Sequence, residues 1–166
     1  MKLITKIRIL ILFFMLALIL SGATAMPAET LLSWLMQYKD MMPQKLGDWL
    51  QTCYLALVDT NNKYPFLAYG YDWLAFAHIV IAMAFIGPLK DPVKNKWIID
   101  WAILACLAVI PLAFITGPIR QVPMFHILID CSFGIIGLIP LVICRKMIRR
   151  LEKTNQAFEP IPVTFH

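Results

Sequence analysis

The stretch from Tyr64 to Pro88, YPFLAYGYDWLAFAHIVIAMAFIGP, constrains the fold more than any other part of the chain. Its first ten residues hold five aromatic side chains: Tyr64, Phe66, Tyr69, Tyr71 and Trp73. The rest is an apolar run interrupted by one imidazole, His78. Tyr and Trp collect where a membrane helix meets water, because each ring has an apolar body and a polar tip. The stretch is therefore expected to enter a bilayer at Tyr64 to Trp73 and to carry His78 about two turns inside, where it needs a partner.

Composition excludes the main alternatives. Of the 166 residues, 60% are hydrophobic and 15% charged, with a mean hydropathy of +0.73. Soluble domains are nearer about 45–50% apolar with roughly a quarter of residues charged. Neither an ordinary soluble core nor disorder fits. The four cysteines, Cys53, Cys106, Cys131 and Cys144, have no CxxC or metal-type spacing. The last three sit in apolar runs, where free Cys acts as a small hydrophobe. There is no internal repeat and no nucleotide-binding glycine loop.

The N-terminal residues 1–25 read as a targeting segment. Lys2, Lys6 and Arg8 precede an unbroken apolar run from Ile9 to Leu20, and Ala23 and Ala25 then stand in an A-x-A arrangement. The apolar run is short for a span that needs about 20 residues. Cleavage after Ala25 is the favoured expectation, with an uncleaved signal anchor as the alternative. Either way, the next segment is expected to begin outside the cytoplasm.

Residues 26–63 read as an extracytoplasmic amphipathic helical cap. Leu31, Leu35, Tyr38 and Met42 recur at helical steps, as do Leu46, Trp49, Cys53 and Leu57. Lys39, Asp40, Lys45 and Asp48 stop this stretch from spanning. Two helices are expected, about 30–41 and 43–58, with Pro43 as first residue of the second. Asp59 to Lys63 reads as a polar turn.

Three spans are expected in residues 64–153, at about 71–89, 97–117 and 124–144. A charged loop from Lys90 to Lys96 and a tight turn from Gly117 to Pro123 separate them. Pro111 and Pro140 lie inside the second and third spans, as membrane helices tolerate. Residues 154–166 read as a flexible cytoplasmic tail. Orientation follows from the basic residues. Lys2, Lys6, Arg8, Lys90, Lys94, Lys96, Arg145, Lys146, Arg149, Arg150 and Lys153 make eleven of the fifteen Lys and Arg. All fall on one side if the spans alternate, while Lys39, Lys45, Lys63 and Arg120 fall on the other. The positive-inside rule makes the first side cytoplasmic. The net charge of +5 is thus a topology signal, and it gives no support to a nucleic-acid partner. The density of Tyr, Trp and Pro at the boundaries resembles that of small bacterial inner-membrane proteins, a compositional likeness without functional content.

The expected fold is an all-α integral membrane protein: a small bundle of three spans after the signal segment, four if it is uncleaved, under a helical cap. Ionisable groups at membrane depth are functional candidates. At about 1.5 Å per residue, His78 lies roughly 10 Å and Asp130 roughly 9 Å below the outer boundary. His126 shares a helix face with Asp130. Asp72 lies above His78, and Arg120 is in the outer turn. Ala75, His78 and Ala82 form one small-residue stripe, and Asp130, Gly134 and Gly137 another, which would let His78 meet Asp130.

Three roles for this cluster follow. As structural glue, His78 donates to Asp130 while Arg120 pairs with Asp72 or Asp130. As a catalytic pair, Asp130 orients His78 as general base; a nucleophile is then missing, with Ser132 and Thr116 candidates by depth only. As a metal or haem site, His78 and His126 ligate with Asp130, but no HxxxH or HExxH spacing is present. Asp100, beside the cytoplasmic boundary, is expected to pair with Lys96, four residues earlier. The favoured reading is a non-enzymatic accessory or assembly subunit of the inner (plasma) membrane, in contact with lipid and with a membrane-protein partner through its cap. The alternative is a small intramembrane enzyme or carrier using the His/Asp/Arg cluster. No particular cofactor is implied.

Overall fold

The structure, a computed structural model, describes residues 2–157. The described residues form helices joined by short turns and loops, with no strand. In order they form α1 (Leu3–Ala25), α2 (Ala28–Met36), α3 (Gln44–Lys63), α4 (Tyr69–Ala84), α5 (Ile86–Lys90), α6 (Lys96–Ile119) and α7 (Met124–Ala157). Single turns of 3-10 helix at Lys39–Met41 and Pro65–Ala68 lie between them. Four segments are long and apolar enough to cross a bilayer: Leu3–Ala25, Pro65–Lys90, Lys96–Ile119 and Met124–Asn155. No more than 28% of the apolar window of any of them is buried within the protein, so most of that apolar surface is left for lipid. The chain is an all-α membrane protein.

The chain divides into two compact units. Among the described residues, the first comprises 2–15 and 84–157. Its centre is the α6–α7 hairpin, which packs through small residues. A Cβ added at Gly134 would sit 2.6 Å from the Cys106 carbonyl oxygen, and one at Gly117 would sit 2.5 Å from Ile127 Cδ1. Ile98, Ile99, Ala102, Ile127, Cys131, Leu141, Cys144 and Ile148 are buried. The first half of α1 belongs to this unit. Ile7 and Ile11 are fully buried, Phe14 lies 5.1 Å from Phe85, and Arg8 Nε donates to the Leu89 carbonyl at 3.1 Å.

The second unit comprises residues 16–83. Here α2 and α3 pair, and Asn61 Nδ2 donates to Glu29 Oε2 at 2.6 Å. Lys39 bridges to Asp48 at 3.2 Å and also bonds Gln51. Trp49 and Leu57 are half-buried, while Lys45 and Lys63 are exposed. Burial raises the pKa of the Cys53 thiol above its ordinary value. The C-terminal half of α1 meets α4 at Gly22, where a Cβ would come within 2.7 Å of His78 Cβ and 2.9 Å of the Ala75 oxygen.

Several boundaries differ from the sequence expectation. The segment Asp59 to Lys63 is not a turn: α3 runs to Lys63. The Lys63–Asp59 pair at 2.9 Å and the Asn61 bond to Glu29 satisfy its polar side chains without leaving the helix. Pro43 is the cap residue, one position before the first helical residue. The stretch expected as one span at 71–89 is two helices, because Pro88 has no N–H to donate to the Ala84 carbonyl, and α4 ends at Ala84. The turn expected to start at Gly117 starts three residues later, since α6 runs to Ile119 through Pro118. Helix α7 does not end at Cys144 but continues to Ala157. Residues 154–157 of the expected flexible tail are therefore helical, and 158–166 lie outside the described residues.

Candidate functional site

His78 and Asp72 fall in the second unit, and Arg120, His126 and Asp130 in the first. Within its own unit, each of His78 and Asp130 has a polar neighbour on its own helix.

On α4, His78 Nδ1 lies 2.8 Å from the Leu74 carbonyl. A carbonyl only accepts, so Nδ1 carries the proton and Nε2 keeps its lone pair in the neutral ring. The small-residue stripe around His78 faces Gly22 of α1, with Ala75 and Ala82 fully buried. Asp72 lies in the first turn of α4, where a carboxylate suits the positive end of the helix dipole. With Tyr69, Trp73 and Phe76 it lines a shallow groove of about 230 Å³. Successive rings along this groove stand edge-on: Tyr69 and Trp73 at 5.9 Å and 86°, Trp73 and Phe76 at 5.8 Å and 90°.

On α7, His126 Nε2 and Asp130 Oδ1 lie 3.7 Å apart, one turn along the helix. That is too long for a hydrogen bond and becomes an ion pair only when the imidazole is protonated. Gly134 and Gly137, one and two turns further on, pack on Cys106 of α6. Arg120 is the C-terminal cap residue of α6. The two hydroxyls at nucleophile depth are turned inward on their own helices. Ser132 Oγ donates to the Ile129 carbonyl at 2.6 Å, and Thr116 Oγ1 to the Leu112 carbonyl at 2.8 Å. Such back-bonding engages the hydroxyl proton with backbone and leaves it no side-chain base. Among the described residues, no three of His, Cys, Asp and Glu come close enough together to hold a metal ion.

At the other end of the first unit, the charges pair differently from the sequence expectation. Lys96 reaches Glu152 of α7 at 2.6 Å, not Asp100. Asp100 pairs with Arg145. Arg145 is only 15% exposed, and its Nη1 is buried without a hydrogen-bond partner among the described residues. The expectation failed because spacing along α6 favours Lys96, whereas both partners come from α7 through the antiparallel hairpin. The position of Arg145, directly after the apolar run, was the available signal. The same end holds a cavity of about 560 Å³ that sequence reasoning missed, lined by residues from α1, the α5–α6 loop and α7.

No protein-family model matches the chain, and no curated protein or solved structure is similar to it above chance.

Proposed function

We propose that this chain is a non-enzymatic accessory or assembly subunit of the inner (plasma) membrane, whose cap engages a partner membrane protein on the extracytoplasmic side. The observation that carries this reading is an exposed aromatic patch between α2 and α3. Trp34 and Tyr38 stand edge-on at 5.2 Å, and Trp34, Tyr38 and Met41 are 54%, 43% and 84% exposed. Rigid aromatic rings beside a flexible thioether are the side chains that dominate protein interfaces. The test is site-specific photo-cross-linking of the full chain in its native membrane, with the probe at Trp34 or Met41. A discrete protein adduct that Tyr38→Ala weakens supports the subunit reading. Adducts with lipid alone overturn it.

The orientation proposed puts the cap outside and the C-terminus in the cytoplasm. It is supported by a cavity lined jointly by Ile4, Lys90 to Lys94, Leu151, Glu152 and Asn155, residues that neighbour the three basic segments in the chain. We further propose that α1 remains as a signal anchor and is not cleaved after Ala25. Supporting this are the full burial of Ile7 and Ile11 and the close approach of Gly22 to Ala75 and His78.

A second reading, a small intramembrane enzyme or carrier, is favoured by the His126–Asp130 approach. Asp130→Asn keeps the shape and removes the charge. Under the subunit reading this variant restores the phenotype of a deletion strain. Under the enzyme reading it folds and fails to restore it.

A further inference from the structure

The α5–α6 loop begins as a polar turn at the bundle end. Asp91 Oδ1 accepts from the backbone N–H groups of Val93 at 3.2 Å and Lys94 at 3.0 Å. Asn95 Nδ2 donates to the carbonyls of Gly87 at 3.2 Å and Asp91 at 2.9 Å. The loop is thus held by its own side chains and does not lean on a ligand for its shape. Arg8 bonds the carbonyls of Leu89 and Lys90, which ties α1 to the start of the same loop. Between these elements and the end of α7 lies the cavity of about 560 Å³, with Ile4 and Leu151 among its apolar walls and Lys90, Lys94, Asp91 and Glu152 among its polar ones.

The charges around it are not balanced. Glu152 is taken by Lys96 at 2.6 Å, and one oxygen of Asp91 is taken by two backbone donors. No protein group pairs with the ammonium of Lys90 or Lys94 among the described residues, and Arg8 adds a guanidinium spent only on carbonyls. Position matters as much as charge. From Met124 to Leu151 the helix rises about 40 Å, against a hydrocarbon layer of about 30 Å and about 40–45 Å with headgroups. The cavity therefore opens at headgroup depth. Its volume lies within the range of roughly 300–1,000 Å³ that holds small ligands, and its mixed walls suit a group that is anionic at one end and apolar at the other.

We propose that this cavity is a binding site for the phosphate headgroup of an anionic phospholipid, held by Lys90 and Lys94 with the start of its acyl chains against Ile4 and Leu151. This differs from the diffuse attraction of any basic belt for anionic lipid, because it assigns one lipid per chain to two named lysines. It does not depend on whether the cap has a partner.

The test is native mass spectrometry of the full-length protein released from bilayers of mixed phosphatidylglycerol and phosphatidylcholine. The wild type is expected to retain one phosphatidylglycerol in preference to phosphatidylcholine. Lys90→Gln with Lys94→Gln lowers that adduct by about thirtyfold, Lys90→Arg with Lys94→Arg retains it, and Arg149→Gln with Arg150→Gln leaves it in place. Ile4→Trp, which fills the cavity without changing charge, also lowers it, and covers the case in which the lysine pair fails to fold. Equal retention of the two lipids overturns the proposal. So does an equal loss in the Arg149/Arg150 variant, which would mean a diffuse belt. Displacement of the lipid by inorganic phosphate with undiminished affinity would assign the site to a soluble anion instead.

Discussion

At the scale of single residues, close backbone approach decides which glycines are replaceable. Gly134 faces the Cys106 carbonyl oxygen, 2.6 Å from where a Cβ would stand. A backbone oxygen inside a helix cannot turn aside as a side chain does. Gly134→Ala is expected to lose about 1–3 kcal/mol by overpacking. Gly70 has nothing within 4 Å of the same position, and Gly70→Ala is expected to gain about 0.4–1 kcal/mol through the unfolded chain. Denaturation of the two variants in one detergent checks the opposite signs. Gln121 presents the converse case. Its φ is 58°, in the left-handed region that costs a side chain energy. It ends α6 in a Schellman arrangement, with Val122 N–H on the Gly117 carbonyl at 2.9 Å and Gln121 N–H on the Pro118 carbonyl at 3.1 Å. Gln121→Gly is expected to raise stability by roughly 0.5–1 kcal/mol, and an unchanged or lowered melting temperature would contradict the assignment of this turn.

At the scale of elements, the hairpin of α6 and α7 is registered by two crossed ion pairs. Lys96 meets Glu152 and Asp100 meets Arg145, so the sign alternates along each helix. Sliding α7 by two turns in one direction sets Lys96 against Arg145, and in the other sets Asp100 against Glu152. Both slips oppose like charges. Asp100→Asn is expected to cost about 1–2 kcal/mol, since Arg145 then lies nearly buried without an anion, while the half-exposure of Asp100 keeps the cost below that of a fully buried pair. The exchange Asp100→Arg with Arg145→Asp should recover part of it, which a double-mutant cycle reads directly. None of this was legible in the sequence, because spacing reports neighbours on one helix and not across a hairpin. The helices themselves were legible: apolar runs gave the three later spans, and the periodicity of Leu46, Trp49, Cys53 and Leu57 gave α3, whereas the N-terminal run read as short for a span and α1 extends it to 23 residues. What failed was local. Residues 71–89 read as one uninterrupted span although Pro88 ends α4 at Ala84, and Asp59 to Lys63 read as a turn although ion pairing and a bond to Glu29 keep it helical. The candidate site was legible only as residue types. Spacing predicted that His126 and Asp130 share a face, but could not foresee that Ser132 and Thr116 spend their hydroxyls on their own backbones.

At the scale of the whole molecule, the distribution of basic residues and the fate of α1 are linked. With α1 retained and four spans crossing, reporter fusions after Lys94 and after Lys153 should both report cytoplasm, and one after Asn61 the exterior. An exterior signal at Lys94 would reverse the orientation. Retention itself rests on packing. In the first unit Ile7 and Ile11 are fully buried and Phe14 lies against Phe85. In the second, Gly22 lets α1 approach α4 within Cβ contact at His78. A signal peptide destined for removal has no need of a glycine at the one point where a Cβ would strike backbone oxygen. Its loss after Ala25 would open both faces to lipid and take Arg8 from the carbonyls of Leu89 and Lys90. The intact mass of the protein extracted from its membrane should therefore include residues 1–25. Gly22→Leu should destabilise the extracted protein by about 1–3 kcal/mol, as overpacking against fixed atoms does. If α1 is removed, the mass falls at Ala25 and Gly22→Leu leaves the mature chain unaltered. The two readouts are independent, and both must agree for α1 to count as the fourth span.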